Sequence, residues 1–354
     1  VERREEIRFG LWVLLVPFVL LVVGEIGAHK FYSAKRPTGF DWAALEIATR
    51  VPGTDIPYRF QPGASYEHLA FDDLGLRSPG LRTPKPDETI RLAVVSNSTL
   101  FNAVLPEEKT FIGLLTQELA RRHPECSFDY ANFSGPAYTL EFLAQEWPTL
   151  RDQVDPDVTI ILAGSPYEAI PDPDGRRSGS GAAAAAPPHV WEAPHLRRFV
   201  EAVLRRLSLA RAITMAREDT SSFKREFTQN ISDMQGDLAS LVPEGRAILI
   251  GDRAQVRDAD STALAALTRE LRYKRNIKRP ESALELTETT IGAMAETARS
   301  NGWSFVDAMA QIPADPEHFR DAEHLTGKGT ADLMELVLPE VEAILPECRS
   351  TEGS

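Results

Sequence analysis

Short apolar runs bounded by polar turn residues recur from residue 90 onward: Leu92 to Val95, Phe128 to Asn132, Val158 to Ala163, Ala247 to Ile250 and Ser304 to Val306. Runs of this kind are typical of central parallel strands, which are covered on both faces and so lack strict alternation. Between them, Thr110 to Arg122 and Leu140 to Gln153 carry apolar residues at helical spacing, and a last helix is predicted from Gly327 to Leu345. Strand alternating with helix predicts an α/β fold, a doubly wound parallel sheet between two helix layers.

Other stretches break the pattern. Residues from Lys30 to about Glu88 are rich in proline and glycine and read as an extended connection lying over the globular domain. The interval from Pro171 to Val242 reads as an insertion: a Gly/Ser-rich stretch, five alanines from Ala182 to Ala186, then amphipathic helices over His195 to Arg217 and Thr220 to Leu241. A substrate lid, a docking surface and a solvated peripheral hairpin are all compatible with such an insertion. The predicted organisation is therefore an anchor over 1–29, a lead-in over 30–89, an α/β domain over 90–348 with the insertion at 171–242, and a tail over 349–354.

The anchor is read from Phe9 to Gly24, an uncharged apolar segment that as a helix is about 24 Å long. Extended to Ala28 it reaches about 30 Å, the hydrocarbon thickness of a bilayer. A cleaved signal peptide is the competing reading, but no small-x-small cleavage site follows, which favours a retained single-pass anchor. Arg3, Arg4 and Arg8 precede the segment and Lys30, Lys35 and Arg36 follow it, so flanking charge leaves the orientation open.

Composition excludes more than it identifies. With 354 residues, 43% hydrophobic and 26% charged, the chain is of ordinary globular composition, and its net charge of -13 argues against nucleic acid as a partner. Of the two cysteines, Cys126 and Cys348, composition says only that an oxidising compartment would permit a bridge; two buried free thiols are the alternative. No Cys/His pair has zinc-ligand spacing, Gly327-Lys328-Gly329-Thr330 lacks the Walker spacing, and neither a metal nor an organic cofactor is expected.

Candidate chemistry lies at two remote places. Ser98 ends the run Arg91-Leu92-Ala93-Val94-Val95-Ser96-Asn97, where a strand ending in a tight turn presents a hydroxyl at the carboxyl edge of a sheet. Asp321 and His324, three positions apart on one short turn, suit a carboxylate orienting an imidazole, so Ser98, His324 and Asp321 are the candidate triad. Asp307, after the last predicted strand, is a reserve for the acid. His68, His123, His189, His195 and His318 have no partner recognisable in the sequence.

The ordered blocks resemble the SGNH (GDSL-like) hydrolase superfamily, in particular its membrane-anchored bacterial members. The first block, a strand followed by a Gly-Asp-Ser-like turn, is matched by Ser96-Asn97-Ser98-Thr99; the second by Asn132-Phe133-Ser134-Gly135; the third by the strand ending at Gly164; and the last by Asp321 to His324, continued as Leu325-Thr326-Gly327-Lys328-Gly329. Upstream, Asp73-Leu74-Gly75-Leu76-Arg77 is similar to the family's lead-in. The resemblance implies a three-layer sandwich of the SGNH or flavodoxin-like kind and a catalytic domain outside the cytoplasm. It further implies Ser98 and Gly135 N–H groups as oxyanion donors, and a serine esterase or acyltransferase acting on small ester groups, such as acetyl substituents of envelope glycans or lipids.

Two departures matter. The family's third-block asparagine, an oxyanion donor, falls on Pro166, which has no N–H; a one-residue shift places Ser165 there instead. Ser96 stands where the family has glycine, and its side chain is expected to crowd the turn. These departures, with the anchor and the insertion, motivate the alternative expectation: an inactive accessory subunit of the same fold, docked onto a membrane-protein complex.

Overall fold

In the computed structural model of the chain, the apolar runs form a five-stranded parallel sheet. The structure describes residues 47–49, 58–136, 138–171, 221–252, 280–321 and 323–348, all within the unit Asp41–Ala184 and Met215–Ser354. The predicted anchor, the glycine- and alanine-rich part of the insertion and the predicted helix over His195 to Arg217 lie outside the described residues. Among the described residues, no helix is long and apolar enough to cross a membrane.

The lead-in contributes two small antiparallel pairs, β1 (Ala48–Thr49) with β2 (Arg59–Phe60) and β3 (Ser65–Tyr66) with β4 (Leu69–Ala70). The main sheet is β5 (Thr89–Ser96), β6 (Ser127–Ser134), β7 (Val158–Leu162), β8 (Arg246–Ile250) and β9 (Ser304–Val306), in the spatial order β6-β5-β7-β8-β9. The helices are α1 (Ser98–Phe101), α2 (Phe111–Arg122), α3 (Leu140–Val154), α4 (Pro166–Ala169), α5 (Ser221–Leu241), α6 (Pro280–Ser300) and α7 (Gly327–Ile344). This order places a topological switch at β5, whose chain leaves toward β6 and later returns to β7 on the other side. Such a switch opens a crevice at the carboxyl edge, where ligands bind in doubly wound sheets.

The period-2 direction of side chains along a strand explains the layers. Leu92 and Val94 of β5, with Val158, Ile160, Leu162, Ile248 and Ile250, face α2 and α7, whose Leu115, Leu119, Leu333 and Val337 complete one fully buried core. The opposite face receives α3, α5 and α6; there Phe133 of β6 stacks on Trp147 of α3 at 5.8 Å between ring centroids. Threonine caps start the main helices: the hydroxyls of Thr110, Thr139 and Thr326 accept from the backbone N–H of Gly113, Phe142 and Gly329, each satisfying an otherwise orphaned donor.

The helix expected over Thr220 to Leu241 is present as α5, and only its assignment to the insertion differs. It was grouped with the insertion over 171–242, yet Phe223, Phe227, Met234, Leu238 and Leu241 are buried and the helix packs on α3 and α6. It is the helical layer between β7 and β8, because its apolar stripe has a core to face. Helix α6 had no counterpart in the sequence reading. The lead-in is also more than an extended connection, since Phe60 and Phe71 stack at 4.1 Å and Phe60 lies on Phe101 of α1 at 5.3 Å.

At the amino edge of the sheet, Cys126, just before β6, and Cys348, after α7, are joined in a disulfide with Cα atoms 5.5 Å apart. The pairing left open by the sequence is therefore a bridge. Among the described residues, Glu125, Cys126 and Cys348 are close enough to share a metal ion, but disulfide sulfurs have no thiolate to offer one.

Candidate active site

Two residues beyond the end of β5, Ser98 opens α1, a single turn, and Asn97 caps it by accepting from the Thr99 N–H at 2.9 Å. Asn102 ends the turn at φ 40°, ψ 64°, the left-handed region that asparagine tolerates better than most residues. Its carboxamide nitrogen then donates to the Leu325 carbonyl at 3.3 Å and to the Thr330 hydroxyl at 3.2 Å. Leu325 directly follows His324, so Asn102 ties the two remote halves of the site together.

Beneath α1, the buried Arg77 holds the chain that leaves Ser98. Its guanidinium donates to the carbonyls of Phe101 and, at 2.6 Å, Leu105, and pairs with Glu107 at 2.7 Å. The turn that delivers Arg77 is organised by Asp72, whose Oδ1 accepts from the N–H of Leu74 and of Leu76. Gly75 sits at φ +74°, and a Cβ there would lie 2.4 Å from the Phe60 carbonyl oxygen. The acidic residue of the lead-in motif that shapes the turn is thus Asp72, one position before Asp73.

Across the crevice, the loop before α7 carries the other half. The Oδ1 atom of Asp321 accepts from the backbone N–H of Glu323 and His324 at 2.9 and 2.8 Å, a local turn that three-residue spacing permits. The same carboxylate accepts a hydrogen bond from the His324 Nδ1–H, with its oxygens 2.9 and 2.8 Å away. With Nδ1 carrying the proton, Nε2 of the neutral ring is the acceptor, and the Ser98 hydroxyl donates to it at 2.9 Å. Burial acts to raise the Asp321 carboxyl, but the hydrogen bonds from His324 and the two backbone N–H groups outweigh it and hold the carboxyl well below the usual range. The hydrogen bond to Asp321 raises His324 above its ordinary value, against the opposing effect of burial.

The structure therefore brings Ser98, His324 and Asp321 into one hydrogen-bonded chain; Asp307, the reserve acid, is not the carboxylate on the imidazole. Gly135 directly follows β6, and Ser165 lies three residues beyond the end of β7. Ser96 pairs with Ser134 on one side and with Leu162 on the other, so the first residues beyond all three strands share one edge. A Cβ on Gly135 would lie 2.7 to 2.9 Å from the ring of Tyr138, so no side chain fits there. Ser165 is buried after Gly164, and Pro166 is the first residue of α4, where a missing N–H costs nothing. The side chain of Ser96 does not crowd the turn as expected: it points into the sheet and donates to the Leu162 carbonyl at 2.8 Å.

Sequence reasoning missed one member of this edge. Asp252, just past β8, is buried, and its Oδ2 accepts from Asn97 Nδ2 at 3.3 Å. A lone acidic residue after an apolar run carries no local signal of this. Among the described residues, the other histidines have partners: His318 lies between Asp315 at 2.6 Å and Asp332 at 3.0 Å, His123 meets Glu342 at 3.3 Å, and His68 meets the Ala103 carbonyl at 2.7 Å, while His189 and His195 lie outside the described residues.

No family model and no curated protein matches the chain. Among solved structures, the fold is similar to a lipase/acylhydrolase from Enterococcus faecalis, at 16% identity over 75% of this chain and 100% of that one, with a TM-score of 0.40. An acetylxylan esterase from Geobacillus stearothermophilus aligns at 14% identity over 74% and 97%, with a TM-score of 0.41. A GDSL-like lipase from Bacteroides thetaiotaomicron aligns at 15% identity over 75% and 94%, also with a TM-score of 0.41. At such identities the chemistry is read from the side chains of this chain.

Proposed function

We propose that this protein is a serine hydrolase that cleaves carboxylic esters through Ser98, His324 and Asp321. The observation that carries the reading is the continuous hydrogen-bond chain from the Asp321 carboxylate through both nitrogens of His324 to the Ser98 hydroxyl. Ser98, 226 residues from His324, has no structural need to meet the Asp321–His324 pair in that order, whereas nucleophilic acyl transfer does need it.

In this mechanism Ser98 Oγ attacks the ester carbonyl while its proton passes to His324 Nε2, and Asp321 stabilises the imidazolium. The tetrahedral oxyanion is received by the N–H groups of Ser98 and Gly135, with the Ser165 hydroxyl as a third donor in place of the one Pro166 lacks. Collapse breaks the ester C–O bond, and the leaving alcohol takes the proton from His324. Water then attacks the acyl-serine, giving its proton to His324 and releasing the acid and free Ser98. A sugar hydroxyl in place of water makes the same enzyme an acyltransferase. No metal or organic cofactor is required by these steps.

A small acyl ester of the cell envelope is the proposed substrate class, with the catalytic domain held on the extracytoplasmic side by the apolar segment Phe9 to Gly24. The Cys126–Cys348 disulfide supports an oxidising compartment.

The second reading, an accessory subunit without turnover docked on a membrane-protein complex, is favoured by Pro166, since loss of one oxyanion donor typically costs about 10²–10³ in turnover. A fluorophosphonate probe separates the two. Labelling of the wild type that is abolished in Ser98→Ala is the expected result; a folded wild type that stays unlabelled and releases no acetate from acetylated glycans gives the accessory reading.

A further inference from the structure

The mechanism leaves the buried carboxyl of Asp252 without a task. It comes from β8, two strands away from β5, yet reaches the residue immediately before the nucleophile. Asn97 is bonded at both ends of its carboxamide: Oδ1 accepts from the Thr99 N–H at 2.9 Å and Nδ2 donates to Asp252 at 3.3 Å. Only one orientation of the amide satisfies both. Flipping it would set the NH2 group against the Thr99 N–H and the carbonyl against the Asp252 carboxylate.

That choice matters because α1 is a single turn. A helix this short has too few internal bonds to hold its own direction, so its cap largely determines how its first residue points. That residue is Ser98. Burial pushes the Asp252 carboxyl up to about 6, opposed by the hydrogen bond from Asn97 and by the charge of His324, which places Asp252 within the field of the site it borders.

We propose that Asp252 is a positioning residue for the nucleophile: by accepting from Asn97 Nδ2 it locks the carboxamide that caps α1, and so fixes the direction in which Ser98 presents its hydroxyl to His324. The role rests on the serine-hydrolase reading.

The experiment compares Asp252→Ala, Asp252→Asn, Asn97→Ala and the Asp252→Ala/Asn97→Ala double variant of the full chain, with p-nitrophenyl acetate as substrate. Misaimed reacting groups lower kcat on the order of 10–100-fold, so Asp252→Ala is expected to lose that much with KM nearly unchanged. The carbonyl of an asparagine still accepts from Asn97, and Asp252→Asn restores most of kcat. The double variant loses no more than the worse single one, because both act through one hydrogen bond. Wild-type kcat in Asp252→Ala, equal damage in Asp252→Asn, or additive losses would each overturn the role.

A second readout needs no turnover. In the Ser98→Ala background, amide exchange at Thr99 is expected to speed up about 10-fold with Asp252→Ala and to stay unchanged with Asp252→Asn. If the wild type neither labels nor turns over, the hydrolase reading falls, and unchanged Thr99 exchange in Asp252→Ala separately overturns the clamp.

Discussion

The Nε2 atom of His324 lies 2.9 Å from the Ser98 hydroxyl across a sequence separation of 226 residues. The hydrogen bond from His324 to Asp321 raises the imidazole above its ordinary value, with burial opposing. A general base must be neutral to take the serine proton, so kcat/KM is expected to rise with pH and reach half its plateau above pH 6.5, the unperturbed histidine value. Stability follows the two groups in opposite directions. The contribution of His324 is full below its unfolded pKa and is lost as pH rises through the folded one; that of Asp321 is present above the ordinary carboxylate range and is lost as pH falls. A pH–rate profile with its acid limb below pH 6 would contradict the pairing.

Asp321→Asn is the sharper variant. An asparagine in this place accepts the Nδ1 proton less well and leaves no charge to hold the imidazolium. By comparison with other triads, kcat is expected to fall by roughly 10³–10⁴-fold with KM little changed. Steady-state kinetics on a soluble acetyl ester measures this, and a loss of less than 10-fold would remove Asp321 from the mechanism.

The fully buried Arg77 pairs with the partly buried Glu107 at 2.7 Å under the turn that carries Ser98. Burial raises the Glu107 carboxyl, an effect the Arg77 charge opposes. Arg77→Met removes that charge and three donors to the chain after Ser98, leaving a partly buried carboxylate without its cation. A loss of about 3–5 kcal/mol is expected in urea denaturation, accompanied by reduced turnover.

The Cys126–Cys348 bridge joins positions 222 residues apart and lies at the amino edge of the sheet, away from Ser98. Cys126→Ser/Cys348→Ser is expected to destabilise the protein by on the order of 2–5 kcal/mol. Below the unfolding transition, kcat is expected to be unchanged. A large loss of kcat in a folded double variant would mean that the two edges of the sheet are coupled.

What was legible in the sequence was what neighbouring residues enforce. The run Leu92 to Val95 announced a strand buried on both faces, and the observed β5 extends it only to Thr89 and Ser96. Asp321 and His324 were readable as a unit because a three-residue turn brings their side chains together without help from the rest of the chain. Ser98 was readable only through the order of the four blocks, since a serine after a strand is by itself usually a turn or helix-cap residue. Helix α6 was not legible, being rich in threonine; Thr287, Thr290 and Thr297 direct their hydroxyls to carbonyls four residues back, and packing against β8 and β9 supplies what low propensity lacks.

Local order along the chain thus determined the class of fold and the strand ends, and the order of the blocks singled out Ser98, His324 and Asp321, which meet at one edge of the sheet. The tertiary structure decided that Asp252 and not a nearer acid reaches Asn97, that Cys126 meets Cys348, that Asp72 and Arg77 brace the nucleophile's turn, and that α5 belongs to the core. Periodicity and turn chemistry act over a few residues and leave their mark in the sequence. Contacts between the segments just past β5 and β8, or between the two ends of the domain, depend on how the sheet is wound, and no short stretch of residues encodes that alone.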